Sequence, residues 1–443
     1  MYENAQDMIN DFTPEQMKEW KENENRKPLI IRGARQVGKT WIMKTFGQQY
    51  FEKTAYVNFD NNARMKQVFE GDLDIERLVL SISAETGVSI EAENTLIIFD
   101  EVQEVPKALT SLKYFYENAP QYAIVAAESL LGVALHQGTS FPVGKVDFLD
   151  LYPLNFREFL CAMGEKQFVS MLDSCDTQMV TVFKTKYIER LREYYFVGGM
   201  PEVVKDFSEK KDYNRVRAIQ KNLINYYQQD FSKHAEIKLV PRLNLVWNSI
   251  PMQLAKENKK YIYGQVREGS RAKDFELAIQ WLLDCGLIHK VQRIQKPDLP
   301  LKAYIDFDAF KLFLVDIGLL IAMTDLDAKV IIEGNKIFTE FKGALTEQYI
   351  LQQLISDVGV IPYYYSTQNS KGEIDFLVQG KTSVIPIEVK AEENLKAKSL
   401  KAFCEKYQPS YAVRTSMSDY REQDWMTNIP LYAVKWIKNY VNQ

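Results

Sequence analysis

Cysteine and histidine are scarce in this sequence, and the few that occur are scattered. Four cysteines and three histidines are spread over 443 residues, without the paired spacings that zinc sites and disulfide frameworks require. This scarcity excludes a disulfide-stabilised secreted protein and a zinc-ribbon protein. It fits a protein that works in a reducing cytoplasm with its thiols free.

Long apolar runs and low-complexity tracts are also lacking. Because no run of about 18 apolar residues occurs, we expect no membrane span and no membrane partner. The first residues lack the basic and apolar regions of a signal peptide, so we expect a cytoplasmic location. The composition is that of a globular protein, 46% apolar and 26% charged, and a chain of this length predicts roughly two to four domains.

Residues 28–40 contain the most specific motif of the chain. A short apolar segment runs into G-x-x-x-x-G-K-T, whose two glycines let backbone N–H groups face a phosphate. We expect Lys39 to place its charge on the β- and γ-phosphates and Thr40 to offer a hydroxyl to Mg²⁺. A helix is expected to follow, and its N-terminus adds positive potential. The predicted nucleotide-binding residues of this loop are Gly33, Ala34, Arg35, Gln36, Val37, Gly38, Lys39 and Thr40.

A second motif follows downstream, where an apolar run ends in Asp100 and Glu101. Such a run predicts a buried parallel strand with its carboxylates at the edge where ligands bind in open α/β sheets. We expect Asp100 to take part in binding nucleotide and Mg²⁺, and Glu101 to act catalytically by polarising the attacking water. Together the two motifs predict a site for ATP and Mg²⁺.

The first part of the chain alternates between strands and helices. Strands are predicted at residues 29–32, 54–59, 96–100, 122–127 and 146–151, with helical stretches between them. This alternation predicts a parallel sheet covered on both faces, which is the architecture of a P-loop ATPase domain. We assign this domain to residues 1–204 of an α/β multidomain protein.

The middle of the chain is mostly helical and basic. Residues 205–302 contain 19 Lys and Arg against 11 Asp and Glu, a net charge of +8. Within residues 263–291, a helix, a glycine-ended cap and an apolar strand predict a winged helix-turn-helix. Its second helix would present Arg267, Arg271 and Lys273 to nucleic acid, with DNA favoured. The alternatives are a solvated basic face and a winged helix that serves only for packing. We assign this second predicted domain to residues 205–330.

The last predicted domain, residues 331–443, carries a second group of charged residues. Two strands joined by a short polar turn contain Asp375 on the first and Glu388 and Lys390 on the second. This is the D…E-x-K arrangement of the PD-(D/E)xK nucleases. It predicts that Asp375 and Glu388 bind Mg²⁺ or Mn²⁺ together with Glu347, which lies on a preceding helix. Lys390 is predicted to activate water. The alternative is a nuclease-like fold that only binds nucleic acid or docks.

Further segments bring the chain close to a known family. With the motifs already described, the chain resembles over almost its whole length the prokaryotic AAA-type ATPases whose C-terminal half is a domain of unknown function, DUF4143. The resemblance implies an AAA-like ATPase, a central winged helix and a restriction-endonuclease-like C-terminal domain. It also leaves a homo-oligomer open, since a neighbouring copy often completes AAA sites. The segments are SFPVGKV at 140–146, LYPLNFREFL at 151–160, GGMPE at 198–202, KLFLVDIGLL at 311–320, and GEID at 372–375 with EVK at 388–390.

The sequence departs from this family at one position. After the strand at 122–127 the family usually has Gly-Ser, whereas this chain has Glu128 and Ser129. A carboxylate beside a triphosphate repels it, so we expect nucleotide to bind but hydrolysis to be slow. Ser129 stays available as the polar group that senses the γ-phosphate.

Three classes of function follow from these features. The first is an ATPase that couples nucleotide binding and hydrolysis to DNA binding and metal-dependent phosphodiester cleavage. The second is an ATP-dependent molecular switch whose winged helix and nuclease-like domain are non-catalytic binding modules. The third is a structural or interaction protein in which nucleotide only stabilises the fold by mass action.

Overall fold

The computed structural model describes residues 15–129, 142–256, 259–333, 339–367, 372–393 and 397–443. The side chain of Ser129 and residues 140 and 141 of the motif at 140–146 lie outside the described residues. The described chain forms two compact units. The first takes in residues up to Tyr152 together with 284–286, and the second takes in Pro153–Leu283 and Leu287–Gln443.

A parallel sheet forms the centre of the first unit. All five predicted strands are present among the described residues, and they lie in the order β2-β3-β4-β1-β5 with every neighbouring pair parallel. The strands are β1 Leu29–Gly33, β2 Lys53–Asn58, β3 Thr95–Asp100, β4 Ala123–Ser129 and β5 Asp147–Asp150. Because all run the same way, the carboxyl ends of β1, β3 and β4 meet at one edge, where ligands bind in such sheets.

Alternate residues of these strands enter two separate hydrophobic clusters. Ile97 and Phe99 pack on one face of the sheet, while Leu96 and Ile98 pack on the other. Both faces are therefore covered by helices, as the unbroken apolar runs predicted. The helices are α1 Glu15–Glu22, α2 Lys39–Tyr50, α3 Ala63–Glu70, α4 Ile75–Thr86 and α5 Pro106–Asn118, with a 3₁₀ turn at Val102–Glu104.

Helices make up most of the first half of the second unit. Polar N-caps define several of their starts: Asp212 accepts from the backbone of the helix that begins at Tyr213, and Asn155 forms a reciprocal capping box with Glu158. The helices are α6 Phe156–Ala162, α7 Lys166–Asp173, α8 Thr177–Val182, α9 Lys184–Val197, α10 Pro201–Lys210, α11 Tyr213–His234, α12 Val240–Leu254, α13 Tyr263–Val266 and α14 Ala272–Asp284.

A mixed sheet of eight strands organises the rest of the second unit, as far as the chain is described. Its order is β12-β13-β11-β10-β9-β8-β6-β7. The strands are β6 Ile288–Ile294, β7 Ile305–Leu314, β8 Tyr363–Ser366, β9 Glu373–Gln379, β10 Val384–Val389, β11 Val413–Ser416, β12 Arg421–Gln423 and β13 Met426–Pro430. The remaining helices are α15 Ile317–Met323, α16 Ala328–Ile332, α17 Thr339–Gln353, α18 Lys398–Tyr407 and α19 Ile437–Val441, with short helical turns at Leu301–Tyr304, Leu354–Val358 and Leu431–Trp436.

The sheet crosses the boundary that the sequence predicts at residue 330. The antiparallel hairpin β6–β7 belongs to the predicted winged helix, yet β6 pairs in parallel with β8 of the C-terminal region. The two compact units of the described chain divide after residue 152, and the predicted domain boundaries at 204 and 330 stay predictions. The antiparallel pairing of β9 with β10 matches the predicted hairpin, while the winged-helix and nuclease-like fold names stay predictions.

Candidate functional site

The loop between β1 and α2 carries the predicted phosphate-binding residues. Its backbone passes through the left-handed region at Gln36, with φ of 64°, and at Gly38, with φ of 96°. Glycine adopts this conformation without steric cost, and Gly38 is the residue from which α2 starts at Lys39. Such a turn before a helix N-terminus directs backbone N–H groups to one side, which is how phosphate anions are bound.

Lys39 is held inside this loop. Its Nζ donates hydrogen bonds to the carbonyls of Gly33, at 3.0 Å, and Ala34, at 2.8 Å, and the residue is 7% exposed. Burial lowers the pKa of Lys39 to about 8, and the nearby carboxylates Glu101 and Asp100 oppose that shift. The ammonium therefore sits where an added phosphate would stabilise its charge.

Asp100 at the end of β3 links the loop to the neighbouring strand. Its Oδ2 accepts hydrogen bonds from the hydroxyls of Thr40, at 2.7 Å, and Tyr56, at 2.8 Å, and its Oδ1 accepts one from the backbone N–H of Glu101, at 3.1 Å. A hydroxyl and a carboxylate in contact are the hard oxygen ligands that Mg²⁺ takes when phosphates and water complete its shell. Thr40 and Asp100 therefore fit a magnesium ion, and sequence reasoning did not identify Tyr56 as the third member of the group.

Glu101 lies immediately beyond β3 in an unusual conformation. Its φ of 52° is left-handed, which is uncommon for a residue with a Cβ and occurs more often at functional positions. Its carboxylate accepts a hydrogen bond from the side-chain amide of Gln103. Because of this turn, the chain leaves the direction of β3 at Glu101. Asp100 therefore contacts Thr40 and Tyr56, whereas Glu101 contacts Gln103 at the same edge of the sheet.

Glu128 lies on β4 within this site. The residue is fully buried and stands in register with Arg32 of β1, while Ser129 stands in register with Gly33. Burial raises the pKa of Glu128 to about 7, and the charges of Arg32 and Lys39 lower it. Near neutral pH the carboxyl is therefore partly protonated, which weakens the repulsion that the sequence predicts.

The three predicted nucleic-acid-binding residues lie around the start of α14. Arg267, Arg271 and Lys273 are all exposed or half-buried at the surface, and the backbone N–H of Arg271 donates to the Asp274 carboxylate at 2.8 Å. The opposite face of α14 is buried through Phe275, Ala278, Ile279, Trp281 and Leu282. Lys273 on α14 and the two arginines before the helix are therefore open to solvent, and nucleic-acid binding stays a prediction.

The predicted metal-binding carboxylates of the C-terminal region lie on α17 and on the paired strands β9 and β10. Asp375 lies near Glu347 of α17, where Lys259 pairs with Glu347. Glu388 instead pairs with Lys390, at 2.8 Å, and stands in register with Arg414. Across the residues that the structure describes, no group of three or more His, Cys, Asp or Glu is placed to hold a metal ion. The metal-binding roles of Asp375, Glu388 and Glu347 and the water-activating role of Lys390 stay predictions.

The pairing of β8 with β9 is irregular beside Asp375. Tyr363 is opposite Leu377 and Tyr365 is opposite Ile374, so two steps along β8 match three along β9. An extra residue reverses the alternation of side chains beyond it, and Asp375 lies within this irregular step. Between β9 and β10 the register stays regular up to Ile387 opposite Phe376. The backbone N–H of Val389 donates to the Asp375 carboxylate at 2.7 Å, so Asp375 lies beside the end of β10.

Asp316 is a buried residue whose role sequence reasoning missed. It is fully buried at the N-cap of α15, and it accepts hydrogen bonds from the backbone of Gly199, at 2.6 Å, and Leu319, at 3.1 Å, and from Gln352 at 3.3 Å. Gly198 has a φ of +75°, and a Cβ there would lie 2.2 Å from the Asp316 carboxylate. The segments at 198–202 and 311–320 are thus in contact with each other. An Asp directly before an apolar helix is a helix-start signal, and it could have identified Asp316 as an N-cap from the sequence.

Comparison with family models separates the chain into three matched regions. Residues 25–160 match the model of an AAA domain, and residues 342–434 match a domain of unknown function, DUF4143. Residues 188–330 match a second domain of unknown function, DUF8612. The chain therefore combines an AAA-type ATPase-like domain with a DUF4143 domain.

Individual relatives are distant. An uncharacterized protein of Methanocaldococcus jannaschii, MJ1637, is 20% identical over 235 residues, a stretch that covers 48% of this chain and 46% of that protein. The chain thus spans about half the length of this curated relative.

Among the described residues, no helix combines the length and apolar character that crossing a membrane requires.

Solved structures give similarly distant matches. The Walker-type ATPase PABY2304 of Pyrococcus abyssi is 13% identical and covers 70% of this chain and 95% of its own, with a TM-score of 0.44. The Thermotoga maritima RuvB Holliday junction branch migration motor is 11% identical and covers 63% of this chain and 88% of its own, with a TM-score of 0.29. Both TM-scores lie below 0.5, and neither likeness extends to function.

Proposed function

We propose that this chain binds ATP together with Mg²⁺, hydrolyses it, and works as a nucleotide-dependent switch. The observation that carries the proposal is the contact of Thr40 with Asp100 beside Lys39, at the edge where β1, β3 and β4 end. A phosphate-binding loop, a buried ammonium and a hydroxyl–carboxylate pair are the parts that phosphoryl transfer uses. The match of residues 25–160 to an AAA domain supports the same proposal.

Each residue of the site has a separate task in this proposal. The loop N–H groups and Lys39 bind the phosphates and offset their negative charge. Thr40 and Asp100 hold Mg²⁺, which neutralises phosphate oxygens when bound. Tyr56 fixes the orientation of the Asp100 carboxylate through its hydroxyl. Glu101 orients the attacking water and accepts its proton.

Replacing Glu101 with glutamine is expected to abolish turnover while leaving nucleotide bound. Glutamine keeps the size of the side chain but cannot accept the proton, so we expect kcat for ATP to fall about a hundredfold. ATP affinity, measured by fluorescence of a labelled nucleotide, should change less than about threefold.

The matched control is Glu104→Gln, a neighbouring exposed glutamate, which should hydrolyse ATP at the parental rate. Equal rates in all three proteins would refute the assignment of Glu101. No binding of ATP to the parental protein would refute the proposed function itself.

A second candidate function is nucleic-acid binding controlled by nucleotide. The observation that favours it is the position of Arg267, Arg271 and Lys273 at the surface around the start of α14, within the basic segment at 205–302. Side chains at the start of a helix that follows a short helix and precedes a hairpin can reach phosphates or base edges. We do not assign phosphodiester cleavage, because Lys259 and Lys311 already pair with Glu347 beside Asp375.

Removing these three charges is expected to weaken DNA binding in a salt-dependent manner. We expect the triple alanine variant to lose affinity for duplex DNA, and the slope of log affinity against log salt to fall by about one for each phosphate that the variant no longer neutralises. Fluorescence anisotropy at several salt concentrations, with and without ATP and Mg²⁺, measures both. Lys205→Ala, an exposed lysine on α10, is the control. An unchanged slope in the triple variant would exclude this surface.

A further inference from the structure

Five charged side chains are packed together inside the second unit, and we call them the lysine–carboxylate cluster. They are Lys259, just before α13, Lys311 on β7, Glu347 on α17, and Glu373 and Asp375 on β9. Lys311 is fully buried, and Glu347 is 5% exposed. A buried ion without a partner is strongly destabilising, so the contacts inside the cluster decide whether it is stable.

Each lysine of the cluster lies against carboxylates. The Nζ of Lys311 is 2.5 Å from Glu373 Oε1 and 3.6 Å from Glu347 Oε2. Lys259 pairs with the other carboxylate oxygen of Glu347. Both oxygens of Glu347 therefore face an ammonium group supplied by the chain. The ring of Tyr364, with its centroid 4.8 Å from Lys311 Nζ, adds a cation–π contact.

Asp375 completes the cluster as a hydrogen-bonding group. Its Oδ2 accepts a hydrogen bond from the backbone N–H of Val389 at 2.7 Å. Burial and the neighbouring Glu347 raise the pKa of Asp375 to about 8. Burial opposes ionisation of Glu347 as well, but Lys259 and Lys311 hold its pKa below the ordinary value. The ammonium groups of Lys259 and Lys311 thus face the carboxylates of Glu347 and Glu373.

We infer that Lys259 and Lys311 take the place of a divalent cation. Carboxylates at this position of a nuclease-like hairpin would otherwise need the positive charge of such a cation, and here the two lysines of the chain supply it. Glu388, the third carboxylate that such a cation needs, is paired with Lys390 instead. A cation binding between Glu347 and Asp375 would have to displace the buried ammonium of Lys311 and would be repelled by both lysines. The cluster is therefore a metal-independent structural group that joins Lys259 and Lys311 to the DUF4143 region.

Binding of Mn²⁺ to the full chain tests the inference directly. Without nucleotide, the amount of Mn²⁺ bound, measured by electron paramagnetic resonance, should be the same in the parental protein and in Asp375→Asn. Any weak binding at Asp100 contributes equally to both proteins. A Mn²⁺ site that is present in the parent and lost in Asp375→Asn would overturn the inference.

Charge compensation between Lys259 and Glu347 gives a second, independent test. Lys259→Met removes one ammonium and leaves Glu347 under-compensated, so the melting temperature should fall by about 5 °C. Adding Glu347→Gln removes the charge that needed compensation, and the double variant should melt above the single Lys259→Met variant. A double variant no more stable than the single one, or a parental melting temperature that drops when EDTA is added, would overturn the inference.

Discussion

Replacing Lys39 with alanine is expected to lower kcat/KM for ATP hydrolysis about a thousandfold, the largest effect on activity that we expect in this chain. Lys39 is the residue whose charge offsets the β- and γ-phosphates, and alanine leaves only the loop N–H groups to do so. Because phosphate binding in the ground state also uses this charge, ATP affinity should fall together with kcat. Phosphate release at saturating and limiting ATP, together with nucleotide binding, measures the two effects.

Lys66→Ala is the matched control for this experiment. Lys66 is an exposed lysine on α3, so its removal changes net charge by the same amount without touching the loop. The melting temperature of Lys39→Ala should stay close to the parental value, because burial already disfavours the charged lysine. A Lys39→Ala protein that hydrolysed ATP like the parent would show that the activity arises outside the loop.

Replacing Asp316 with alanine is expected to have the largest effect on stability. The substitution leaves the buried N–H groups of Gly199 and Leu319 without their acceptor and removes the N-cap of α15. Each buried unsatisfied group costs about 1–3 kcal/mol, and the bond from Leu319 is itself the cap bond. We therefore expect the free energy of unfolding of the second unit to fall by about 2–6 kcal/mol. Urea denaturation followed by circular dichroism measures the change.

Asp325→Ala provides the surface comparison for Asp316. Asp325 has a side chain that is 73% exposed and pairs with Lys221, so its loss should change stability by less than about 0.5 kcal/mol. Equal effects of the two substitutions would refute the structural role of Asp316.

The contribution of Asp316 also depends on pH. Burial raises its pKa from the ordinary value of 3.8 to about 6, although the N–H groups of Gly199 and Leu319 oppose the shift. A carboxyl with a raised pKa stabilises the fold fully below its unfolded pKa and loses that contribution as pH rises through its folded pKa. Asp316→Asn cannot titrate, so its stability deficit relative to the parent should be larger at about pH 4 than at about pH 7.

The features that the sequence predicts correctly are those encoded within short stretches. The strand, loop and helix at 28–50 and the strand that ends at Asp100 follow from apolar runs, glycines and the position of acidic residues. Such signals depend on neighbouring residues, and the parallel sheet follows because alternating strands and helices have few ways to pack. The contact between Thr40 and Asp100 then results from two strands that end at one edge.

The pairing of the two lysines of the cluster with carboxylates could not be predicted, because the partners are distant along the chain. Lys259 precedes its partner Glu347 by 88 residues, and Lys311 precedes Glu373 by 62. No local pattern connects them, and the irregular step in β9 beside Asp375 has no glycine or proline to mark it. Asp316 escaped notice for a related reason, since its partners Gly199 and Gln352 come from elements far away in sequence.

The pairing of β6 with β8 limits how this protein can be cut into pieces. A polypeptide that starts at residue 331 would lack β6, β7 and both lysines of the cluster, so β8 would become an open edge strand and Glu347 would have no ammonium partner from the cluster. Exposed edges of this kind pair with other chains and promote aggregation. Dissection of the protein should therefore keep residues 153–443 together, and insolubility of shorter C-terminal fragments would say nothing about the stability of the intact fold.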